Sequence, residues 1–283
     1  MIKNWGARHP IIGFLAFSHG WTFGWWAVAG VLALSNAGTV WSGAAAIAFY
    51  IGGAGVLIGG VAMPAMHFGS AGLADLGRRI IDPRPIRPQW WTFILLFFPL
   101  ITVAAAVMAG FAGLDAAISP LGDITGLTNS LPAFLAFVGF ILLVGPLPEE
   151  IGWRGYLLDR LLAAQSPVMA SLVMAVIWWS WHLPLPWLPG YFEAFAREPP
   201  GPLFMLISLV PAAIVYTWLF LHTGHSVLAV ILFHWVGNLT GQILLPSHDV
   251  RLVRLALEYA VAMGIVAWWL YRRTDPPLRD QPA

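Results

Sequence analysis

The chain has 283 residues, of which 59% are hydrophobic and only 10% are charged, whereas ordinary soluble domains carry about 25% charged residues. This composition excludes a soluble domain and indicates a polytopic membrane protein. The net charge of +1, with Lys and Arg scattered along the chain, argues against a nucleic-acid partner, and the lack of cysteine excludes a thiolate nucleophile, a disulfide framework and a cysteine-based metal site.

Long uncharged runs predict a single all-α membrane domain over residues 1–283, a bundle of about eight transmembrane helices. Each run is long enough to cross about 30 Å of hydrocarbon. The first run is too long for the core of a cleavable signal peptide, so we expect a retained anchor. The predicted spans are about 11–34, 41–63, 90–113, 131–164 with a kink, 167–183, 202–221, 226–245 and 254–269.

The second predicted span is crowded with glycine, and the segment after it is rich in arginine. Small residues at close spacing indicate close helix packing in lipid; here they are Gly52, Gly53, Gly55, Gly59 and Gly60. Residues 64–89 then carry four arginines among four prolines, which predicts a cytoplasmic surface loop.

The distribution of Lys and Arg predicts that both termini are cytoplasmic. An eight-span arrangement with the N-terminus inside places ten of these residues inside and three outside, in agreement with the positive-inside rule. The ten are Lys3, Arg8, Arg78, Arg79, Arg84, Arg87, Arg160, Arg272, Arg273 and Arg279, and the three are Arg197, Arg251 and Arg254.

The fourth run contains two adjacent glutamates directly after two prolines. Pro146 and Pro148 should kink or restart the helix, with Pro148 at its first position. An ionisable group at membrane depth costs roughly 2.5 kcal/mol or more unless it is paired or faces water, so the glutamates indicate a functional site. Because residues four apart share a helix face, Arg154 can pair with Glu150, which leaves Glu149 available for chemistry.

A helical hairpin brings these carboxylates toward a histidine. Ser166 is expected to cap the next helix, and both Glu150 and His182 lie 16 positions from it. In an antiparallel pair they lie at about the same height, so the carboxylates and His182 can meet. Further along, His234 and Asn238 are four residues apart and share one helix face.

Each of these polar groups is also typical of a structural role without catalysis. His182 alone is typical of a hydrogen-bonded packing residue, and His234 with Asn238 is typical of polar groups that hold membrane helices together. The coincidence of both groups with the glutamates and Arg154 favours a shared site. The remaining histidines lie near predicted ends or loops, where we expect no catalytic role; they are His9, His19, His67, His222, His225 and His248.

Three motifs occur in order: Glu149-Glu150-x-x-x-Arg154, Trp178-x-x-x-His182 and His234-x-x-x-Asn238. With them the chain resembles the CAAX-type intramembrane endopeptidases, also called the type II prenyl endopeptidase, CPBP or bacteriocin-processing (Abi) family. The family pattern usually has Phe where Trp178 stands. The resemblance covers a catalytic core of about residues 131–245.

The resemblance implies an endopeptidase that cuts near the C-terminus of a membrane-associated or lipidated peptide. It implies catalytic roles for Glu149, His182, His234 and Asn238, with Glu150 and Arg154 in support. The chemistry agrees, since a buried carboxylate can activate water and neutral donors can stabilise an oxyanion. The expected partners are membrane lipid and a peptide or protein substrate.

Two other functions and one cofactor stay open. The same fold can serve as a catalytically silent scaffold or immunity protein, and the ionisable groups can form the relay of a proton-coupled transporter. Zinc is conceivable on Glu149, His182 and His234. We favour a mechanism without metal, because Glu150 is held by Arg154 and the chain lacks a His-Glu-x-x-His helix.

Overall fold

The computed structural model describes residues 9–35, 38–119, 130–191 and 201–272. Within these ranges the secondary structure is helical, apart from one isolated bridge between Ile118 and Pro246, so the all-α prediction is confirmed. In chain order the α-helices are α1 (Pro10–Leu15), α2 (Trp21–Ser35), α3 (Gly43–Gly53), α4 (Gly55–Ile81), α5 (Pro88–Phe111), α6 (Leu131–Val144), α7 (Pro146–Gly152), α8 (Leu158–Leu162), α9 (Pro167–His182), α10 (Pro202–His222), α11 (Val227–Leu244) and α12 (His248–Arg272).

Within the described residues, six helical stretches are long and apolar enough to cross a membrane, slightly fewer than the predicted count of about eight. The first predicted span is not among the six: it consists of α1, a π-helical turn at Ala16–Gly20 and α2, which has only 15 residues. The last, α12, is long enough but carries five charged residues. The six are Gly43–Ile81, Pro88–Phe111, Leu131–Leu162, Pro167–Trp187, Pro202–His222 and Val227–Leu244.

The predicted loop at 64–89 is wrong over most of its length, because α4 continues to Ile81. Pro64 lies inside the helix, and Gly69 bends it with φ of 62° and ψ of −142°, a conformation that glycine adopts without a steric penalty. Arg79, which the sequence placed on a surface loop, is 6% exposed near the end of this helix. The true connection is the short segment before Pro88, where Arg84 pairs with Asp82.

The chain forms two compact units, each of which contains two separate parts of the sequence. The first unit contains residues Met1–Ile80 and Pro148–Ala213, and the second contains Ile81–Leu147 and Ile214–Ala283. The predicted core of residues 131–245 therefore contributes to both units, and the single-domain interpretation stays a prediction.

In the first unit, glycines let helices approach closely, which confirms the interpretation of the glycine-rich run. A Cβ on Gly60 would lie 2.6 Å from Gly152 Cα and 2.6 Å from the Ile151 carbonyl oxygen, and a Cβ on Gly152 would collide with the backbone of Val56. The backbone of α4 thus lies directly against the glutamate-bearing helix. Gly53, by contrast, faces open space.

In the second unit, α5 packs against both α11 and α12. Three small residues of α5, Ala105, Ala106 and Ala109, form a buried cluster with Val250 at the start of α12. Side chains this small let the helices pack closely, as is usual between membrane helices.

Candidate active site

The helix that carries the glutamates restarts just before them, as predicted, but it begins two residues earlier than expected. Helix α6 ends at Val144, and Gly145 has φ of −123° and ψ of −85°, outside the helical region. Helix α7 begins at Pro146, so Pro148 lies within the first turn and not at its first position. The restart places Glu149 in the first turn of the new helix.

Directly after the glutamates the helix widens into a π-helical turn at Trp153–Leu157, which the sequence did not reveal. Such turns disturb the regular backbone hydrogen bonds and occur frequently at functional sites. The guanidinium of Arg79 donates to the carbonyl oxygens of Arg154 (3.1 Å) and Gly155 (3.3 Å). It also pairs with Asp159 at 2.9 Å, and both side chains are 6% exposed. Arg79 therefore stabilises the turn that contains Arg154, the last residue of the first motif.

Glu150 and Arg154 form the predicted ion pair. Arg154 Nη1 lies 3.0 Å from both carboxylate oxygens of Glu150, and both residues are fully buried. A buried carboxylate requires such a partner, because isolated charges in a low-dielectric interior are very unfavourable. Both oxygens of the Glu150 carboxylate are therefore held by Arg154.

Glu149 has a different environment. It is 8% exposed, and its Oε2 accepts a hydrogen bond of 2.8 Å from the indole N–H of Trp178. Among the described residues this is the donor that contacts Glu149, so Oε1 can accept from a water molecule. The sequence predicted that the two glutamates lie on different faces of the helix, and in the structure each has a different partner.

The hairpin between the first two motifs has the predicted cap. Ser166 Oγ accepts from the backbone N–H of Met169, 3.3 Å away, with Pro167 at the first helical position.

His182 Nδ1 lies 2.8 Å from the Trp178 carbonyl oxygen. Because a carbonyl oxygen only accepts, Nδ1 carries the proton and Nε2 carries the lone pair of the neutral ring. A direct meeting of Glu149 with His182 stays a prediction, since the hydrogen bond shown is to Trp178.

The third motif lies in the second unit, on α11. His234 is 7% exposed, and its ring packs edge-to-face against Tyr216 with centroids 5.7 Å apart. Asn238 lies one turn further along the same uninterrupted helix and is exposed. The structure thus groups Glu149, Glu150, Arg154 and His182 in one unit, and His234 and Asn238 in the other. Their assembly into one site stays a prediction.

Two polar residues near the first motifs were missed by the sequence reasoning. His19, expected to be an ordinary interfacial histidine, lies in the π-helical turn before α2 and hydrogen-bonds to Ser180 of α9 at 3.0 Å. Tyr191 follows the helix of His182, and burial raises its pKa, with the negative charge of Glu149 acting in the same direction. The only available signal was the polar character of both residues within apolar surroundings.

The zinc alternative would use Glu149, His182 and His234. Within either unit, the described residues hold no group of three or more His, Cys, Asp or Glu side chains arranged to bind a metal ion. The three candidate ligands come from both units, so neither unit supplies the set by itself.

Comparison with known proteins supports the resemblance that the motifs indicated. Residues 131–240, which contain all three motifs, match the family described as type II CAAX prenyl endopeptidase Rce1-like. The chain is also 25% identical over 197 residues to a protein of Methanococcus maripaludis named CAAX prenyl protease 2, an alignment that covers 69% of this chain and 71% of that protein. Over residues 131–240, this integral membrane protein is therefore similar to the Rce1-like CAAX prenyl endopeptidase family.

Proposed function

We propose that this protein is an intramembrane endopeptidase in which Glu149 activates the water that cleaves a peptide bond. The observation that carries the proposal is the contrast between the glutamates: Glu150 is fully buried against Arg154, whereas Glu149 borders the surface with one oxygen able to accept from water. A general base must reach the proton that it removes, and the 8% exposure of Glu149 supports this role.

In the proposed reaction, Glu149 takes a proton from water while the water oxygen bonds to the carbonyl carbon of the substrate. His182, whose lone pair is on Nε2, orients this water. The carbonyl oxygen becomes an oxyanion that His234 and Asn238 stabilise as neutral hydrogen-bond donors. The carbon–nitrogen bond then breaks, and the proton held by Glu149 passes to the departing amine.

The proposed substrate is a membrane-associated peptide, cut near its C-terminus and carrying a lipid in the CAAX-like case. The names of the matching family and of the Methanococcus maripaludis relative both contain the words CAAX prenyl, and this chain's membrane helices suit a substrate that arrives within the bilayer. Lipid is the second proposed partner, because exposed large apolar side chains occur along five of the six long stretches, including Ile47, Leu100, Leu143, Val176 and Leu203.

The test is to incubate the purified protein in detergent with a peptide library that includes prenylated and unprenylated versions of the same CAAX-like peptides. Mass spectrometry should show a cut near the C-terminus that is lost in Glu149→Gln. Preference for the prenylated versions would support a lipidated substrate. A wild-type protein that cleaves none of the peptides would contradict the proposal and favour the catalytically silent scaffold.

The proposed mechanism uses no metal. Asn238 is a poor zinc ligand but a good oxyanion donor, and Glu150, the residue that would serve as base beside a zinc ion, is held by Arg154. Activity should therefore survive treatment with a chelator. One zinc per chain, with activity lost to the chelator and restored by zinc, would contradict this mechanism.

We further propose that both termini are cytoplasmic. If the segment before Pro88 is cytoplasmic and each of the six long stretches crosses once, this orientation requires residues 10–35 and α12 to cross as well. Reporter fusions after Arg87 and Arg160 should report cytoplasm, and fusions after Asp123 and Arg197 the far side; the last two residues lie outside the described ranges. So do Lys3, Arg8, Arg273 and Arg279 of the charge count. A far-side signal after Arg87 would overturn the orientation.

A further inference from the structure

Trp178 occupies the position where the family pattern usually has Phe, and the structure shows what the exchange adds. The residue is 4% exposed on α9, and its indole N–H donates to Glu149 Oε2 at 2.8 Å. A phenyl ring has no donor, so this bond depends on the residue present in this chain. Hydrogen bonds to an ionised acceptor are roughly twice as strong as those between neutral groups.

The same side chain also contacts the other half of the first motif. The guanidinium carbon of Arg154 lies 4.7 Å from the centroid of the Trp178 ring, within the range of a cation–π interaction. Arg154 in turn holds Glu150. One indole therefore contacts Glu149 through its edge and the Glu150–Arg154 pair through its face.

Trp178 also connects to the second motif through its backbone. Its carbonyl oxygen accepts from His182 Nδ1, which fixes the ring tautomer. Buried among these partners, the large and rigid indole has little freedom to move. A carboxylate held at Oε2 by this group presents Oε1 in one orientation, which is the condition for efficient proton transfer from a bound water.

We propose that Trp178 is a positioning residue for Glu149, whose indole N–H fixes the carboxylate in its reactive orientation. The proposal rests on the proposed function, in which Glu149 activates water. Loss of the N–H should lower kcat by about 10- to 100-fold, the range expected when a catalytic group is misplaced. The KM should change little, because Trp178 acts on the base and not on the substrate.

The test replaces Trp178 with 3-benzothienylalanine, in which sulfur stands in place of the indole N–H. This analogue keeps the ring shape and its face toward Arg154 but lacks the donor. We expect a lower kcat, an unchanged KM and a thermal unfolding midpoint close to that of the wild type. Trp178→Phe should lower kcat to the same extent, with an additional loss of stability from the missing ring volume.

Trp181 provides the matched control on the same helix. It is also buried, but its indole N–H donates at 2.9 Å to the neutral hydroxyl of Thr22 and not to a carboxylate. The same replacement at Trp181 should leave kcat unchanged. A benzothienyl variant at 178 with wild-type kcat would overturn the positioning role while leaving the proposed function intact. A wild-type protein that shows no hydrolysis would overturn both.

Discussion

The carboxylates of the first unit and the imidazole of His234 in the second unit are held by different kinds of partner. Glu150 is fully buried and depends on the charge of Arg154, whereas His234 is buried against the aromatic ring of Tyr216. A buried ionised group without its counter-charge is very unfavourable, but a neutral imidazole tolerates apolar surroundings if it finds a hydrogen bond. Stability and chemistry should therefore be coupled at Glu150 and more nearly separable in the second unit.

Within the first unit, Glu149 differs most from Glu150, and its substitution should have the largest effect on activity. Glu149→Gln removes the base but keeps an oxygen that can accept from the Trp178 N–H. Hydrolysis should fall by about 10²- to 10⁴-fold, the usual contribution of a positioned base, while the thermal unfolding midpoint in detergent stays near that of the wild type. A fully active Glu149→Gln protein would remove Glu149 from the mechanism.

Glu150→Gln should have the opposite profile, with loss of stability as the primary effect. The change takes the negative charge away from the fully buried Arg154. Breaking a buried pair in this way costs about 3 to 5 kcal/mol, which should appear as a lower unfolding midpoint together with lower activity.

The control for this change is Glu258→Gln on α12. Glu258 forms the same type of pair with Arg254, four residues away, at 3.1 Å, but the Arg254 side chain is 25% exposed. Because water can solvate that arginine, the loss of stability should be smaller. A stable but inactive Glu150→Gln protein would reverse the roles assigned to the two glutamates.

For the second unit, Asn238→Ala tests whether activity can be lost while stability is kept. Asn238 is exposed, so the protein should keep its unfolding midpoint. Loss of one oxyanion donor typically lowers kcat by about 10²- to 10³-fold. Gln242→Ala removes a similar amide one turn further along α11 and should keep wild-type kcat. Equal effects of the two changes would argue against an oxyanion role for Asn238.

Local sequence rules predicted the features that depend on spacing within one helix. The Glu150–Arg154 pair follows from a separation of four residues, and the Ser166 cap follows from a serine before a proline. The restart of the helix before the glutamates follows from two closely spaced prolines, although its start was placed two residues too late. These features require no knowledge of a distant partner.

The features that were missed depend on residues far apart in the sequence. Two carbonyl oxygens of the π-helical turn at Trp153–Leu157 accept hydrogen bonds from Arg79, more than 70 positions earlier. The same contact explains the error at 64–89, where an arginine interpreted as a surface charge lies buried against Asp159. The Trp178–Glu149 bond likewise depends on how two helices of the hairpin are aligned, which spacing alone defines only to about one turn.

The smallest predicted effect compares close contacts at glycines in the two units. In the first unit, a Cβ on Gly60 would lie 2.6 Å from backbone atoms, which cannot move without shifting a helix. In the second, a Cβ on Gly237 would lie 2.9 Å from the ring of Phe98, a side chain that can adjust with a smaller shift than a helix backbone. Gly60→Ala should therefore cost about 1 to 3 kcal/mol, as overpacking does, and Gly237→Ala should cost less.

Thermal unfolding in detergent measures these changes, with Gly53→Ala as the control because its added methyl group would face open space. That variant should be as stable as the wild type or slightly more so, since alanine favours helix over glycine. Activity should fall in Gly60→Ala beyond the loss of stability, because the helix displaced by the new methyl group carries Glu149. If Gly237→Ala were instead the more damaging change, the second unit would be the more rigidly packed region, and the proposed separation of stability from chemistry there would be wrong.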